Sequence, residues 1–319
     1  MRCIGRIICC LILVVATTAH AESYPSKPVR LIVPFAAGSL SDSLGRLLAK
    51  ELTTALGQQF IVDNKPGASA IIGAQATATA PSDGYVLMLT TNTPQAANFS
   101  LFKKLPYDPV KDFTPVARIG YFPFVLLTNP ALPVKSVKEL IDYAHTNPGK
   151  LNYATANSMS LVSAETINVL AQTDMQRVAY KSNPQALTDL MGGEIQVMVG
   201  DLGTSLPQIK AGKLRALGVT MARRTRLAPD IPTIAESGVP NFDLVGWVGI
   251  VGPAKMPAEV AKKLYEALAK IIARPELQEQ MIAMGTEPAL TAPEPFAAFI
   301  KQQIADWAQR VKAAKIDPE

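Results

Sequence analysis

The fold is decided by residues 29–56, VRLIVPFAAGSLSDSLGRLLAKELTTAL. Residues 29–33 form an apolar run typical of a buried strand, and the segment 34–39 interrupts it with a proline and a glycine. From Leu40 onward, leucines and alanines recur at helical spacing. This succession of strand, loop and helix predicts one unit of an α/β protein with a parallel sheet.

The same alternation of strand and helix continues along most of the chain. Further strand-like runs lie at 60–62, 85–89, 124–127, 151–154, 177–180, 195–199 and 215–219. Helical patterns separate them, as at 71–80, 137–144 and 184–191, where Asn183 and Pro184 suggest a cap and first turn. After residue 251 the chain becomes helical at 257–273, at 275–284 and from Pro295, and the last helix carries an apolar stripe expected to pack against the protein. We predict two lobes with a cleft between them.

Length and composition agree with a two-domain globular protein. At roughly 150 residues per domain, 319 residues predict about two domains. Hydrophobic residues make up 48% and charged residues 18%, which excludes a disordered or fibrous chain. The net charge of +5 is too small for a nucleic-acid-binding surface, so no nucleic-acid partner is expected.

The first 21 residues have the layout of a secretory signal peptide. Arg2 and Arg6 precede the apolar stretch 7–16, and the small residues Ala19 and Ala21 mark a cleavage site, so the mature chain should begin near Glu22. Ten apolar residues are too few for a transmembrane anchor. A secreted protein of the periplasm is therefore expected.

Removal of the signal peptide also removes residues that several kinds of catalytic and metal-binding site require. All three cysteines and His20 lie within it, so the mature chain retains His145 as its histidine. Disulfides, thiolate nucleophiles and metal sites with two histidine ligands are thereby excluded. Nucleotide-binding and GxSxG hydrolase motifs are absent, so we expect no cofactor, no metal and no enzymatic activity. A pair of catalytic carboxylates stays an open alternative, as does a hydrolase using the serine-rich loops.

Ligands of open α/β sheets bind beyond the carboxyl ends of the strands. Four loops qualify, at residues 34–39, 90–93, 155–160 and 200–203. They contain small and hydroxyl-bearing residues and no Lys or Arg, so a bound anion would be held by backbone N–H groups, hydroxyls and helix N-termini. Ser39 and Asp42 also match a capping box, so Ser39 could serve as a helix cap, as a ligand contact, or as both.

Several phrases of the sequence, in order and spread over nearly all of the mature chain, resemble one protein family. They are Tyr24–Gly38, Asp63–Ala68, Pro81–Tyr85, Leu105–Pro109, Lys111–Val116, Gly212–Leu217 and Pro232–Gly238. Together they resemble the substrate-binding proteins of tripartite tricarboxylate transporters, the TctC or Bug family of Gram-negative periplasms.

The resemblance implies an α/β, two-domain periplasmic-binding-protein-like (type II) fold with a ligand cleft between the domains and two crossover strands. The implied divisions are 1–21 signal peptide, 22–122 with 246–319 as domain 1, and 123–245 as domain 2. A monomer would close over a small organic acid and deliver it to one small and one large membrane subunit. The implied ligand-binding residues are Phe35, Ala36, Ala37, Gly38, Ser39, Thr91, Asn92, Thr93, Asn157, Ser158 and Ser160.

The sequence departs from the family pattern at the ligand loops. Ser39 stands where a second glycine is usual, and residues 157–161 replace a Gly-rich segment that usually ends in His. The usual acidic residue falls on Gly200, with Asp201 one place later; if Asp201 reaches the ligand, it favours an amine or hydroxyl and repels a second carboxylate. The identity of the acid stays open. So does the choice between transport and a role as ligand-presenting partner of a membrane sensor kinase.

Overall fold

The computed structural model describes residues 24–319, so the predicted signal peptide and its cleavage site near Ala21 lie outside the described residues. The strands are β1 Val29–Val33, β2 Phe60–Asn64, β3 Val86–Thr91, β4 Phe113–Phe122, β5 Phe124–Thr128, β6 Asn152–Thr155, β7 Gln176–Ala179, β8 Val197–Asp201, β9 Arg215–Val219, β10 Gly246–Pro253 and β11 Glu287–Thr291. The helices are α1 Leu40–Leu56, α2 Ile71–Ala78, α3 Asn98–Leu101, α4 Val137–Thr146, α5 Ser158–Ala171, α6 Asn183–Gly192, α7 Leu202–Lys210, α8 Ala258–Ile272, α9 Pro275–Ala283 and α10 Pro293–Ala313. A short π-helix, Thr93–Ala97, precedes α3.

The strands form two separate sheets. One has the order β11-β4-β10-β3-β1-β2 and the other β7-β6-β8-β5-β9. The first sheet takes strands from both ends of the described chain and the second from its middle, so the chain crosses between them at Pro123 and again between β9 and β10. We call residues 24–122 with 246–319 lobe 1, and residues 123–245 lobe 2. This two-sheet α/β arrangement confirms the predicted fold class.

Helix α1 shows how the opening segment determines the local fold. Its buried face carries Leu44, Leu48 and Leu52, which pack on the first sheet. The Ser39 hydroxyl accepts a hydrogen bond from the Asp42 N–H at 3.2 Å, which caps the helix as its spacing predicts. At the other end, Gly57 has φ 71° and its N–H bonds to the Thr53 carbonyl, a left-handed cap that favours glycine.

Strands β4, β10 and β11 of the first sheet are not among the predicted strands, and the sequences of β4 and β11 lack the usual signals. Strand β4 contains Pro115, which pairs with Val251 beside a register shift, where the missing N–H of proline is tolerated. Strand β11 contains Pro288 and is half-exposed along its whole length at the edge of the sheet. Neither strand therefore shows a continuous apolar run.

Several helix boundaries differ from prediction by a residue or two. The cap of α6 is Ser182, whose hydroxyl accepts from the Gln185 N–H, and Asn183 is the first helical residue. Helix α10 begins at Pro293. Its predicted stripe is confirmed, because Phe296, Ile300, Trp307 and Val311 are all buried. No helix within residues 24–319 combines the length and the apolar character needed to cross a bilayer.

Candidate functional site

A cavity of about 640 Å³ lies between the two lobes. Residues that follow β1, β2 and the end of β3 line it from lobe 1, and residues that follow β6, β7 and β8 line it from lobe 2. The carboxyl ends of these strands meet here, as expected for a binding site in α/β sheets.

Five helices begin at the wall of this cavity. The cap residues of α1, α2, α5, α6 and α7 all line it; they are Ser39, Ala70, Asn157, Ser182 and Asp201. Each helix N-terminus carries a partial positive charge and backbone N–H groups without helical acceptors. Their convergence places five such N-termini at one cavity, an arrangement that favours a bound anion.

Hydrogen bonds with Asp42 and Asn64 fix the conformation of the loop between β1 and α1. The Gly38 N–H donates to Asp42 Oδ2 at 3.0 Å, and Asn64 Nδ2 donates both to Asp42 Oδ1 at 2.9 Å and to the Phe35 carbonyl at 3.1 Å. Burial disfavours the Asp42 carboxylate, but hydrogen bonds from Arg46, Gly38 and Asn64 outweigh burial and lower its pKa. The ionised carboxylate therefore fixes the shape of the loop.

Buried side chains join the lobes at the floor of the cavity. Asn92 Nδ2 donates to Ser158 Oγ at 3.1 Å, and Thr93 Oγ1 lies 2.8 Å from the same oxygen. Asn92 and Thr93 belong to lobe 1, whereas Ser158 is the first residue of α5 in lobe 2. These bonds connect the two lobes directly at the cavity.

Nine of the twelve predicted site residues line the cavity: Phe35, Ala36, Ser39, Thr91, Asn92, Thr93, Asn157, Ser158 and Asp201. Ala37, Gly38 and Ser160 lie outside the lining. The Ser160 hydroxyl is instead occupied by the cap of α5, since it accepts from the Ala156 and Asn157 N–H groups at 3.0 and 3.2 Å and donates to the Asn157 carbonyl. The Asn157 side chain accepts from the Ser160 N–H in return.

Asp201 lines the cavity as the cap of α7. Its Oδ1 accepts from the Thr204 N–H at 2.9 Å and from Thr204 Oγ1 at 2.7 Å, and its Oδ2 accepts from Asn183 Nδ2 at 3.1 Å. These three bonds satisfy most of its acceptor capacity inside the protein, while its negative charge faces the cavity. Capping thus accounts for an acid at this position.

Charged side chains from outside the four predicted loops also line the cavity. Arg177 on β7 and Lys181 just after it both line the cavity, as do Asp317 and Glu319. The loop 66–70 between β2 and α2 lines it too, with Ala68, Ser69 and Ala70 in left-handed conformation at φ 44°, 50° and 71°. The β2–α2 and β7–α6 connections are strand-to-helix loops like the four selected, and this shared position was the signal that could have identified them.

The position of His145 does not fit a histidine-activated serine in the cavity. His145 lies in the last turn of α4, where Nε2 is 2.8 Å from the Ala171 carbonyl, and it is absent from the cavity lining. It therefore cannot activate the serines of the cavity. Within residues 24–319, no three His, Cys, Asp or Glu side chains are gathered in a way that could hold a metal ion.

Two α/β lobes joined by two chain crossings, with helix N-termini gathered at a cavity between them, define a two-lobed solute-binding protein. Residues 44–316 match the sequence model of the tripartite tricarboxylate transporter family receptor, and the chain belongs to this family.

Comparison with individual relatives supports this family assignment. A UPF0065 protein of Bordetella bronchiseptica is 35% identical over 300 residues, covering 94% of this chain and 89% of the relative. The structure of R. palustris Rpa4515 with adipate has a TM-score of 0.90 at 33% identity and covers 93% of this chain and 100% of that one. The periplasmic binding protein BugD has a TM-score of 0.88 at 32% identity, with 93% and 100% covered.

Proposed function

We propose that this protein is a periplasmic solute-binding protein that captures a small organic acid between its lobes and delivers it to the membrane subunits of a tripartite transporter. The observation that carries the proposal is the convergence of five helix N-termini on the cavity. An anion placed there receives backbone N–H donors and favourable helix dipoles without needing a dedicated basic side chain.

The binding mechanism is closure of the lobes rather than a chemical reaction. Asn92, Thr93 and Ser158 meet across the cavity floor, so a ligand that contacts both lobes adds to bonds the closed form already makes. The first carboxylate of the ligand binds beside Ser39, Thr91 and Asn157. The related structure with adipate supports a carboxylate as the ligand class.

The cellular setting follows from the leader sequence and the family. The signal peptide at residues 1–21 directs the chain to the periplasm, with cleavage near Ala21. There the monomer would present its ligand to one small and one large membrane subunit; membership of a transporter receptor family supports this role.

The test uses protein purified from the periplasm without refolding. Native mass spectrometry should show a retained small acid, and thermal unfolding with a panel of carboxylates should raise the Tm by about 5 °C or more at about 100 times Kd. The neutral amides of the same acids serve as matched controls and should leave the Tm unchanged. Equal shifts with acids and amides, or no shift with any acid, would refute the proposal.

A further inference from the structure

The guanidinium group of Arg177 lies in the wall of the cavity and makes two hydrogen bonds there. Arg177 Nε donates to Thr155 Oγ1 at 3.3 Å, and Nη1 donates to Glu319 Oε1 at 3.0 Å. Thr155 is buried at the end of β6, and all three residues line the cavity. Because a guanidinium has five N–H donors in a planar fork, these two bonds leave further donors for another anion.

The partner of Arg177 comes from the opposite lobe. The Glu319 N–H donates to the Leu101 carbonyl at 2.9 Å, and its carbonyl accepts from the Lys103 N–H at 2.8 Å, so its backbone is fixed to lobe 1 beside α3. Among the ion pairs within residues 24–319, Arg177 with Glu319 is the pair that joins lobe 1 to lobe 2. A carboxylate from lobe 1 is thus held against an arginine of lobe 2 at the cavity.

The Arg177–Glu319 ion pair can be broken at small cost in free energy. The two side chains are 39% and 58% exposed, and a solvent-accessible pair of this kind contributes little net stability. An incoming carboxylate can therefore replace Glu319 at small cost. Lys181, which follows β7 and also lines the cavity, adds positive charge on the same side.

We propose that Arg177 is a specificity-determining residue that recognises a second carboxylate of the ligand, and that Glu319 is an internal competitor for it. This inference rests on the proposed function, since it assumes that a first carboxylate binds at the helix N-termini. A dicarboxylate contacts Arg177 with its far end and displaces Glu319. A monocarboxylate leaves the Arg177–Glu319 pair in place.

The experiment compares straight-chain dicarboxylates, from succinate to suberate, with their half-amides by isothermal titration calorimetry. A half-amide keeps the length of the diacid and removes one charge. The variants are Arg177→Gln, Arg177→Lys and Glu319→Gln. The matched control is Arg224→Gln, because Arg224 forms a similarly exposed pair with Glu236 within lobe 2, away from the cavity.

The wild-type protein should prefer the best diacid over its half-amide. Arg177→Gln should weaken diacid binding about tenfold and abolish that preference, while Arg177→Lys retains part of it. Glu319→Gln should strengthen diacid binding up to about fivefold and leave half-amide binding unchanged, since it removes the competitor. Arg224→Gln should bind both ligands like the wild type.

Three results would overturn the inference. The wild-type protein could bind diacid and half-amide equally, Arg177→Gln could weaken both to the same extent, or Glu319→Gln could weaken both. The last result would identify Glu319 as a clamp that holds the closed form. If half-amides and monocarboxylates bind but no diacid does, Arg177 has no such role while the proposed function stands. Failure of every acid to bind the wild-type protein refutes the proposed function itself.

Discussion

Gly203 and Gly285 contact each other across the two lobes. Gly203 is the second residue of α7 in lobe 2, and Gly285 follows α9 in lobe 1. A Cβ on Gly203 would lie 2.0 Å from the Met284 carbonyl oxygen, and a Cβ on Gly285 would lie 2.4 Å from Gly203 Cα. Neither position can carry a side chain unless backbone moves, so this arrangement of the two lobes requires both glycines.

Replacement of Gly203 by alanine should therefore hinder closure. The added methyl group meets backbone rather than a flexible side chain, and overpacking of this kind costs about 1–3 kcal/mol. We expect Gly203→Ala to weaken binding of the most stabilising carboxylate by about tenfold or more, measured by calorimetry. Small-angle scattering of the liganded variant should give a larger radius of gyration than the liganded wild type.

Gly192→Ala is the matched control, because Gly192 also lies in a helix of lobe 2 and an added Cβ there would meet nothing within 4 Å. Its affinity and scattering should equal those of the wild type. Wild-type affinity in Gly203→Ala would show that the Gly203–Gly285 contact plays no part in closure.

The Ser158 hydroxyl should stabilise the junction of the lobes. Ser158→Ala removes the acceptor for Asn92 Nδ2 and the partner of Thr93 Oγ1, leaving two buried polar groups unpaired at a cost of about 1–3 kcal/mol. The free energy of unfolding in urea measures this loss. Ser163→Ala is the control on the same helix, since the buried Ser163 Oγ has no hydrogen-bond partner and its removal should cost less than about 0.5 kcal/mol. Equal losses in both variants would contradict the assigned role of Ser158.

Local sequence patterns predict most of the fold and only part of the site. The unit β1–α1 is predictable because its apolar runs and the Ser39 cap act within a few residues of each other. Strands β4 and β11 are stabilised by pairing with partners distant in sequence, which no local pattern contains. The contact between Arg177 and Glu319 could not be predicted for the same reason, because the two residues are 142 positions apart in the sequence.

Asp42 should make stability depend on pH in the acid range. Its pKa is lowered in the folded protein, so its stabilising contribution is complete above the unfolded value of 3.8 and is lost as the pH falls through the folded value. Asp42→Asn should reduce the free energy of unfolding by about 1–2 kcal/mol at neutral pH, and the difference from wild type should shrink below about pH 4. Asp142→Asn, at an exposed pair with Lys138, should change the free energy of unfolding much less than Asp42→Asn does. A difference for Asp42→Asn that persists unchanged at pH 3 would show that the Asp42 charge is not its cause.

Asp201 should oppose the binding of an anion. Asparagine caps helices as well as aspartate does, so Asp201→Asn keeps the cap of α7 through one oxygen, removes the negative charge at the cavity and gives up the bond from Asn183 Nδ2. We expect binding of a carboxylate to strengthen by about three- to tenfold at low salt, with a smaller gain at high salt, because the repulsion is electrostatic. Calorimetric titrations at two ionic strengths measure both effects.

Asp230→Asn makes the same change in net charge at an exposed position outside the cavity lining and should leave the affinity unchanged. Weaker binding by Asp201→Asn would instead show that Asp201 contacts an amine or hydroxyl of the ligand, and the ligand class would then be an amino or hydroxy acid.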